Sequence, residues 1–199
     1  MNAFRLAAYA APLLSGFGVA AALALSRGRP ARGRAAWAGG VHGGILALLF
    51  LLSFAESVLL FPKVALLLTA FAALVAAAFL AVESLGARRE LCQLAASLLV
   101  VALMGSVFVV EPVLENAVRA RLPGPQIGTR LSLLLSVNPF MTLGLSVFGH
   151  DLLHVPAFYR LDLAAYQHAP PRWGATSFGY AVAAGILGAA AALRRRFSR

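Results

Sequence analysis

The densest group of potentially reactive side chains is the hexapeptide Gly149–His154, which reads Gly-His-Asp-Leu-Leu-His. His150 and His154 are four positions apart, so their imidazoles would share one face of a helix, and Asp151 lies beside the first. Imidazoles at this spacing can hold a transition metal, which would make the chain a membrane metalloenzyme. A catalytic zinc site needs a third protein ligand, and on a helix Asp151 points about 100° away from His150. In the simpler interpretation Asp151 caps a short helix and the histidines lie at a hydrated boundary, so no metal or other cofactor is predicted.

Glu56 is the one carboxylate that falls well inside a long apolar stretch of the sequence. A charge at membrane depth is costly, so an intramembrane acid is a functional candidate by default. Glu56 also lies close to Phe61-Pro62, where the chain is expected to turn, and it could reach the interface or pair with Lys63 or an arginine of the outer segment. This second, structural interpretation is the simpler one.

The sequence lacks the short motifs on which many catalytic predictions rest. It has no glycine-rich phosphate-binding loop, no Gly-x-Ser-x-Gly and no His-Glu-x-x-His. Cys92 is the only cysteine, which excludes an intrachain disulfide and a cysteine-based metal cluster. The chain is therefore not predicted to be an enzyme, and any energy for its work must come from another chain.

Five apolar stretches, each long enough to cross a bilayer, would have to position these residues. A hydrocarbon core about 30 Å thick needs roughly 20 apolar residues per helix, and a helix satisfies its own backbone groups. Apolar residues make up 61% of the sequence and charged residues only 12%, unlike soluble domains. We therefore predict an all-α integral membrane protein with a single transmembrane domain. The spans are expected near residues 7–25, 41–60, 64–81, 91–110 and 176–193.

Glycine is frequent in two of these spans. Small residues let helix backbones approach closely, although in the simpler interpretation they merely ease packing. The glycines in question are Gly39, Gly40, Gly43, Gly44, Gly179, Gly185 and Gly188.

A sixth apolar stretch, Leu131–Phe148, is interrupted at its centre by Asn138 and Pro139. Proline removes a backbone donor and pushes the preceding residue out of helical geometry. A helix break is tolerated at membrane depth only where it is buried in protein or lines a cavity, so we predict a buried, re-entrant break at these two residues. Residues 111–175 would then form one outer cap of short re-entrant or interfacial helices. The alternative is a proline-kinked sixth span.

Basic residues are concentrated at one expected end of the spans. The net charge is +10, and ten of the 17 basic residues fall in three groups, with four at 26–36, two at 86–90 and four at 194–199. A chain of five spans places these groups on one side. Cytoplasmic segments carry an excess of arginine and lysine, so we predict the N-terminus outside and the C-terminal tail inside. Membrane topology thereby explains the charge, and no nucleic-acid partner is predicted.

The second half of the chain has a recognisable order of features. They are a basic turn at Ala87–Glu90, an unbroken span, Leu-x-x-x-Asn-Pro-Phe at Leu134–Phe140, Asp151-Leu152-Leu153 with Pro156 and Tyr159, Pro170–Trp173, and a last span ending in Arg-Arg-Arg. This order resembles the end of membrane permease subunits of ABC transporters of the ABC-2, or type-2 exporter, kind. The resemblance covers roughly residues 87–199. That family usually has six spans and an amphipathic N-terminal helix, whereas this sequence has five expected spans and almost nothing before Ala7.

The resemblance implies a permease subunit in the bacterial plasma (inner) membrane, energised by a separate ATP-binding subunit and paired with a second membrane subunit. In that interpretation the cytoplasmic loop Ser26–Ala36 contacts the ATPase through one exposed basic patch. The patch consists of Arg27, Arg29, Arg32 and Arg34. The first alternative is an accessory or structural membrane subunit of a larger complex, and the second is the membrane metalloenzyme.

Overall fold

The chain folds as an array of α-helices, and the computed structural model describes residues 3–26, 28–54, 58–150 and 171–197. Eight α-helices occur in this part of the chain, and it contains no β-strand. Their bounds are α1 Ala3–Leu25, α2 Ala31–Ser53, α3 Phe61–Ser84, α4 Arg89–Gly105, α5 Val110–Arg119, α6 Gly124–Ser136, α7 Pro139–Thr142 and α8 Trp173–Phe197. Short 3-10 turns, Val58–Leu60 and Ser106–Val109, precede α3 and α5, and a π-helical turn, Leu143–Val147, follows α7.

Five of the described helices are long and apolar enough to cross a membrane: α1, α2, α3, α4 and α8, with α3 and α4 extended by their adjoining turns. The prediction of an all-α integral membrane protein with about five spans is confirmed. By length and composition, α6 and the segment Pro139–Val147 could together make a sixth, but they meet at 97°.

The helix ends differ from the expected ones where proline or arginine extends a helix. α2 begins at Ala31 rather than near residue 41, because Pro30 provides the extended residue before the helix, and arginine stems in its first turns can reach toward water. The Phe61-Pro62 step, expected to be a turn, opens α3, since proline lacks only a donor that a first turn leaves unpaired. α8 continues through Arg194–Arg196, whose charges suit a helix C-terminus.

α3 is the central helix and packs against α8, α4 and α1. Its side chains Leu67, Phe71 and Phe79 are fully buried. Lipid tails are as apolar as leucine, so close packing and polar contacts hold such helices together, rather than the hydrophobic effect. α2 packs mainly on α1 and only lightly on α3, which leaves a gap between α2 and α3.

Close helix approach occurs at two glycines of α1. A Cβ at Gly16 would lie 2.6 Å from Val100 Cγ2 on α4, and a Cβ at Gly18 would lie 2.8 Å from Val41 Cγ1 on α2. Within the described residues, the glycines that the sequence offered for close approach do not have this role, because a Cβ at any of them would meet no described atom within 4 Å. They are Gly39, Gly40, Gly43, Gly44, Gly179, Gly185 and Gly188.

The described part of the expected outer cap has two portions. α5 and α6 pack on each other and form a second, smaller core that includes Leu114, Leu131 and Met141. α7 and the π-helical turn instead enter the main bundle and contact α1, α3, α4 and α8. The segment after the break is therefore part of the bundle.

Candidate functional site

The break between α6 and α7 is centred on Asn138, which is fully buried. Its Oδ1 accepts hydrogen bonds from the backbone N–H groups of Phe140 (2.9 Å) and Met141 (3.1 Å), which caps α7. Its Nδ2 donates to the carbonyl of Met104 (2.9 Å) and to Ser106 Oγ (3.1 Å), where α4 ends. One side chain thus caps α7 and ties it to α4.

α8 holds the other side of the break. Tyr180 Oη donates to the carbonyl of Val137 at 2.7 Å, and the backbone N–H of Trp173 donates to Ser146 Oγ at 3.0 Å. Pro139 is also buried, so the break lies inside protein, as the sequence predicts for a break at membrane depth. Sequence reasoning did not find Tyr180 as the partner of this carbonyl.

A cavity of about 350 Å³ opens between α2 and α3 and is bordered by α1 and α8; we call it the slot. This volume is within the range of small-molecule sites, about 300–1,000 Å³. Its walls are mostly alanine and other apolar residues. Four polar side chains also line it: Arg34, Arg195, His42 and Thr69.

His42 links three helices at the end of the slot that lies away from Arg34 and Arg195. Ser15 Oγ on α1 lies 2.6 Å from His42 Nδ1, and His42 Nε2 lies 3.1 Å from Thr69 Oγ1 on α3. If Ser15 donates to Nδ1, the neutral imidazole carries its proton on Nε2 and donates to Thr69. Although a serine beside a histidine can be a nucleophile, Ser15 is fully buried. The arrangement is therefore a helix-joining network with a polar face toward the slot.

Glu83, near the end of α3, binds arginines from three other helices; we call the four residues the Glu83 cluster. Arg34 on α2 lies 2.6 Å from Oε1, Arg195 on α8 lies 2.6 Å from Oε2, and Arg89 on α4 lies 3.9 Å from Oε1. The carboxylate is 17% exposed, so solvent screens these pairs less than surface pairs. The cluster has three positive charges and one negative, a net charge of +2.

One donor of this cluster lacks a partner. Arg89 Nη1 is buried and has no hydrogen-bond partner in the described part of the chain. Buried polar atoms are nearly always hydrogen-bonded to protein, water or an ion. The cluster therefore has both surplus positive charge and an unused N–H donor.

The structure divides the predicted basic patch, and the expectation of one exposed patch is wrong for Arg34. Its side chain is only 15% exposed because it is bound by Glu83. Arg29 is exposed and its guanidinium lies 4.7 Å from the ring centre of Trp37, and Arg32 is exposed in the first turn of α2. Arg27 lies outside the described residues.

The remaining candidates from the sequence are only partly described. His150 follows the π-helical turn in non-helical backbone; its Nδ1 lies 2.8 Å from Tyr9 Oη, and its Nε2 contacts Arg5. It fastens the end of the α7 segment to the start of α1. Glu56, Asp151 and His154 lie outside the described residues. Within the described ranges, no three His, Cys, Asp or Glu side chains lie together as a metal site would require.

Besides Tyr180, the central residues of the cluster and of the slot network went unnoticed in the sequence, although each had a signal. Glu83 is an acid between the arginine groups at 26–36 and 86–90, and His42 is the only histidine inside an expected span. Their partners could not be read from the sequence, because Arg195 is 112 positions from Glu83.

Five long apolar helices, a buried helix break and a cluster of arginines at one end define a polytopic α-helical membrane protein. Comparisons with protein-family models, with curated proteins and with solved structures give no match for this chain.

Proposed function

We propose that this chain is the membrane-spanning permease subunit of an ABC-type exporter, energised by a separate ATP-binding subunit. The observation that carries the proposal is the location of the buried break at Asn138. The α6–α7 pair lies between the fourth long helix and the last one. In the ABC-2 permeases that the sequence resembles, an Asn-Pro-hydrophobic step and a re-entrant segment likewise lie between the penultimate span and the last one.

Two further features support this role. The sequence has no phosphate-binding loop, so an exporter of this kind needs another chain to hydrolyse ATP. In the apolar stretches of α2, α4 and α8, only 17%, 22% and 22% of the residues are buried within the chain. These uncovered faces suit lipid and a second membrane subunit, either identical to this chain or different in sequence. The arginine-rich end faces the cytoplasm in this proposal, in a bacterial plasma membrane.

The ATPase contact is assigned to the exposed members of the basic patch, Arg29 and Arg32. Arg34 is not replaced in the test of this contact, because replacing it would also break its ion pair with Glu83. Purification of the tagged chain from its native host in gentle detergent should recover a Walker-type ATPase. The double variant R29E/R32E should lower that recovery about tenfold, since two interfacial charges are reversed.

A matched charge reversal controls for non-specific effects. Arg121 and Arg130 are both exposed, after α5 and on α6 respectively, and R121E/R130E should leave ATPase recovery unchanged. If the unaltered protein recovers no ATPase, the exporter proposal fails and a non-transporting accessory subunit replaces it. Equal losses in both variants would contradict the assignment to Arg29 and Arg32.

A further inference from the structure

We propose that the slot between α2 and α3 binds a single-chain amphiphilic anion. Its acidic head would lie at the Glu83 cluster, its apolar body along the alanine-lined walls, and a second polar group at His42 and Thr69. The proposal concerns binding by this chain alone and goes beyond the role in export without depending on it.

The walls of the slot suit an apolar chain. Ala38 and Gly39 of α2 face Ala72, Ala73 and Ala76 of α3 across it. Small side chains on both helices leave a narrow gap with few polar atoms. Its volume of about 350 Å³ is more than twice that of an apolar cavity of about 150 Å³ that holds benzene.

The positive charge at the Arg34 and Arg195 end of the slot favours an anionic ligand. Arg34 and Arg195 line the slot, and its described lining includes no acidic residue. Glu83 neutralises only one of the three positive charges that surround it. Guanidinium groups bind carboxylates and phosphates through paired N–H donors, and the side chain of Arg195 is 43% exposed. An acidic head can therefore bind Arg195 without removing Glu83.

The end of the slot away from the Glu83 cluster favours a second polar group on the ligand. Polar side chains at membrane depth face a protein interior or a polar cavity, and they often mark the path of a ligand. His42 and Thr69 line the slot there, and His42 lies eight residues along α2 from Arg34, about 12 Å at the helical rise. A hydrogen-bonding group at the end of the ligand away from its acidic head would lie beside Thr69 Oγ1.

Three twelve-carbon probes separate these features. Binding of 12-hydroxydodecanoate, dodecanoate and dodecanol to the purified protein in detergent would be measured by native mass spectrometry. The first should bind best, since dodecanoate lacks the far hydroxyl and should bind about fivefold more weakly. Dodecanol keeps a hydroxyl that can lie at His42 and Thr69 but lacks the acid, and it should bind about tenfold more weakly than 12-hydroxydodecanoate. Equal binding of dodecanol and 12-hydroxydodecanoate would overturn the proposal.

Two glycines of α2 provide a matched test of location. Phe at Gly39 would project into the slot, whereas Gly44 is outside its lining and about 140° away around the helix. A Cβ at either position meets no atom within 4 Å, so neither backbone is strained. G39F should lower binding of 12-hydroxydodecanoate at least about tenfold and G44F should not. Equal binding to the two variants would show that the probe lies elsewhere.

Charge variants test the head-group end without blocking the slot. E83Q raises the net charge of the cluster from +2 to +3, so 12-hydroxydodecanoate should bind about fivefold more tightly. R195Q should weaken it by a similar factor, while dodecanol is unaffected by either change. If E83Q does not fold, R195Q alone decides the matter. No change with R195Q would contradict an acidic head at this cluster.

Discussion

Replacing Asn138 tests whether a single side chain holds the re-entrant segment in place. Asn138 both caps α7 and donates to the end of α4, and it is fully buried. N138A removes both functions. N138D keeps an oxygen that can cap α7 but replaces the donor that faces the carbonyl of Met104 at 2.9 Å.

The expected magnitude follows from these four bonds. Loss of an N-cap costs about 1 kcal/mol. Each bond donated to Met104 and Ser106 contributes about 0.6–1 kcal/mol, the lower value being typical inside membranes. N138A should therefore lower the free energy of unfolding by about 2–3 kcal/mol. N138D should cost at least as much, because it buries a carboxylate against a carbonyl oxygen.

The chain carries its own reporter of unfolding. Cys92 is the only cysteine and is fully buried, so a thiol-reactive fluorophore added during heating reacts as the bundle opens. For a chain of this size 2–3 kcal/mol corresponds to a midpoint lower by roughly 4–12 °C. S136A is the control, since Ser136 Oγ donates only to the carbonyl of Ser132 within the same helix.

Two results would refute this reasoning. A midpoint for N138A within the error of S136A would mean that the bonds from Asn138 do not hold the break. A midpoint for N138D equal to that of the parent would mean that the cap alone matters and that the donation to Met104 and Ser106 is dispensable.

Three further predictions use the same protein. G16A should be less stable than G185A by about 1–3 kcal/mol in the Cys92 assay, because only the Cβ at residue 16 meets a neighbouring helix. Both changes gain the same helix propensity, so equal midpoints would contradict the close approach of α1 and α4 at Gly16. S15A, which removes the hydroxyl 2.6 Å from His42 Nδ1, should cost only about 0.6 kcal/mol, and a loss as large as that of N138A would show that the network is worth far more. A reporter fused after Arg199 should be active only in the cytoplasm, whereas activity outside would favour six spans.

The features that the sequence predicted are those encoded locally. Five spans follow from the length and hydropathy of consecutive residues, and the break follows from one Asn-Pro step. The expected ends of α2 and α3 were wrong because Pro30 and Pro62 open helices here.

The features that the sequence did not predict depend on how helices meet. Gly16 is crowded because Val100 and Phe71 lie against it from α4 and α3, and no pattern within α1 specifies those neighbours. Likewise, Arg34 resembles the other arginines of its patch until the fold brings Glu83 within 2.6 Å. Its burial therefore could not be foreseen from composition or spacing.

The ion pairs of the Glu83 cluster form in a fixed order as the chain is synthesised. Arg34 and Arg89 are 49 and six positions from Glu83, whereas Arg195 is 112 positions away. During synthesis Glu83 can therefore pair with Arg34 and Arg89 long before α8 is made. Only when the last helix has entered the membrane does Arg195 reach the second carboxylate oxygen. A chain released before residue 195 therefore keeps the ion pairs of Glu83 with α2 and α4 but lacks the ion pair with α8.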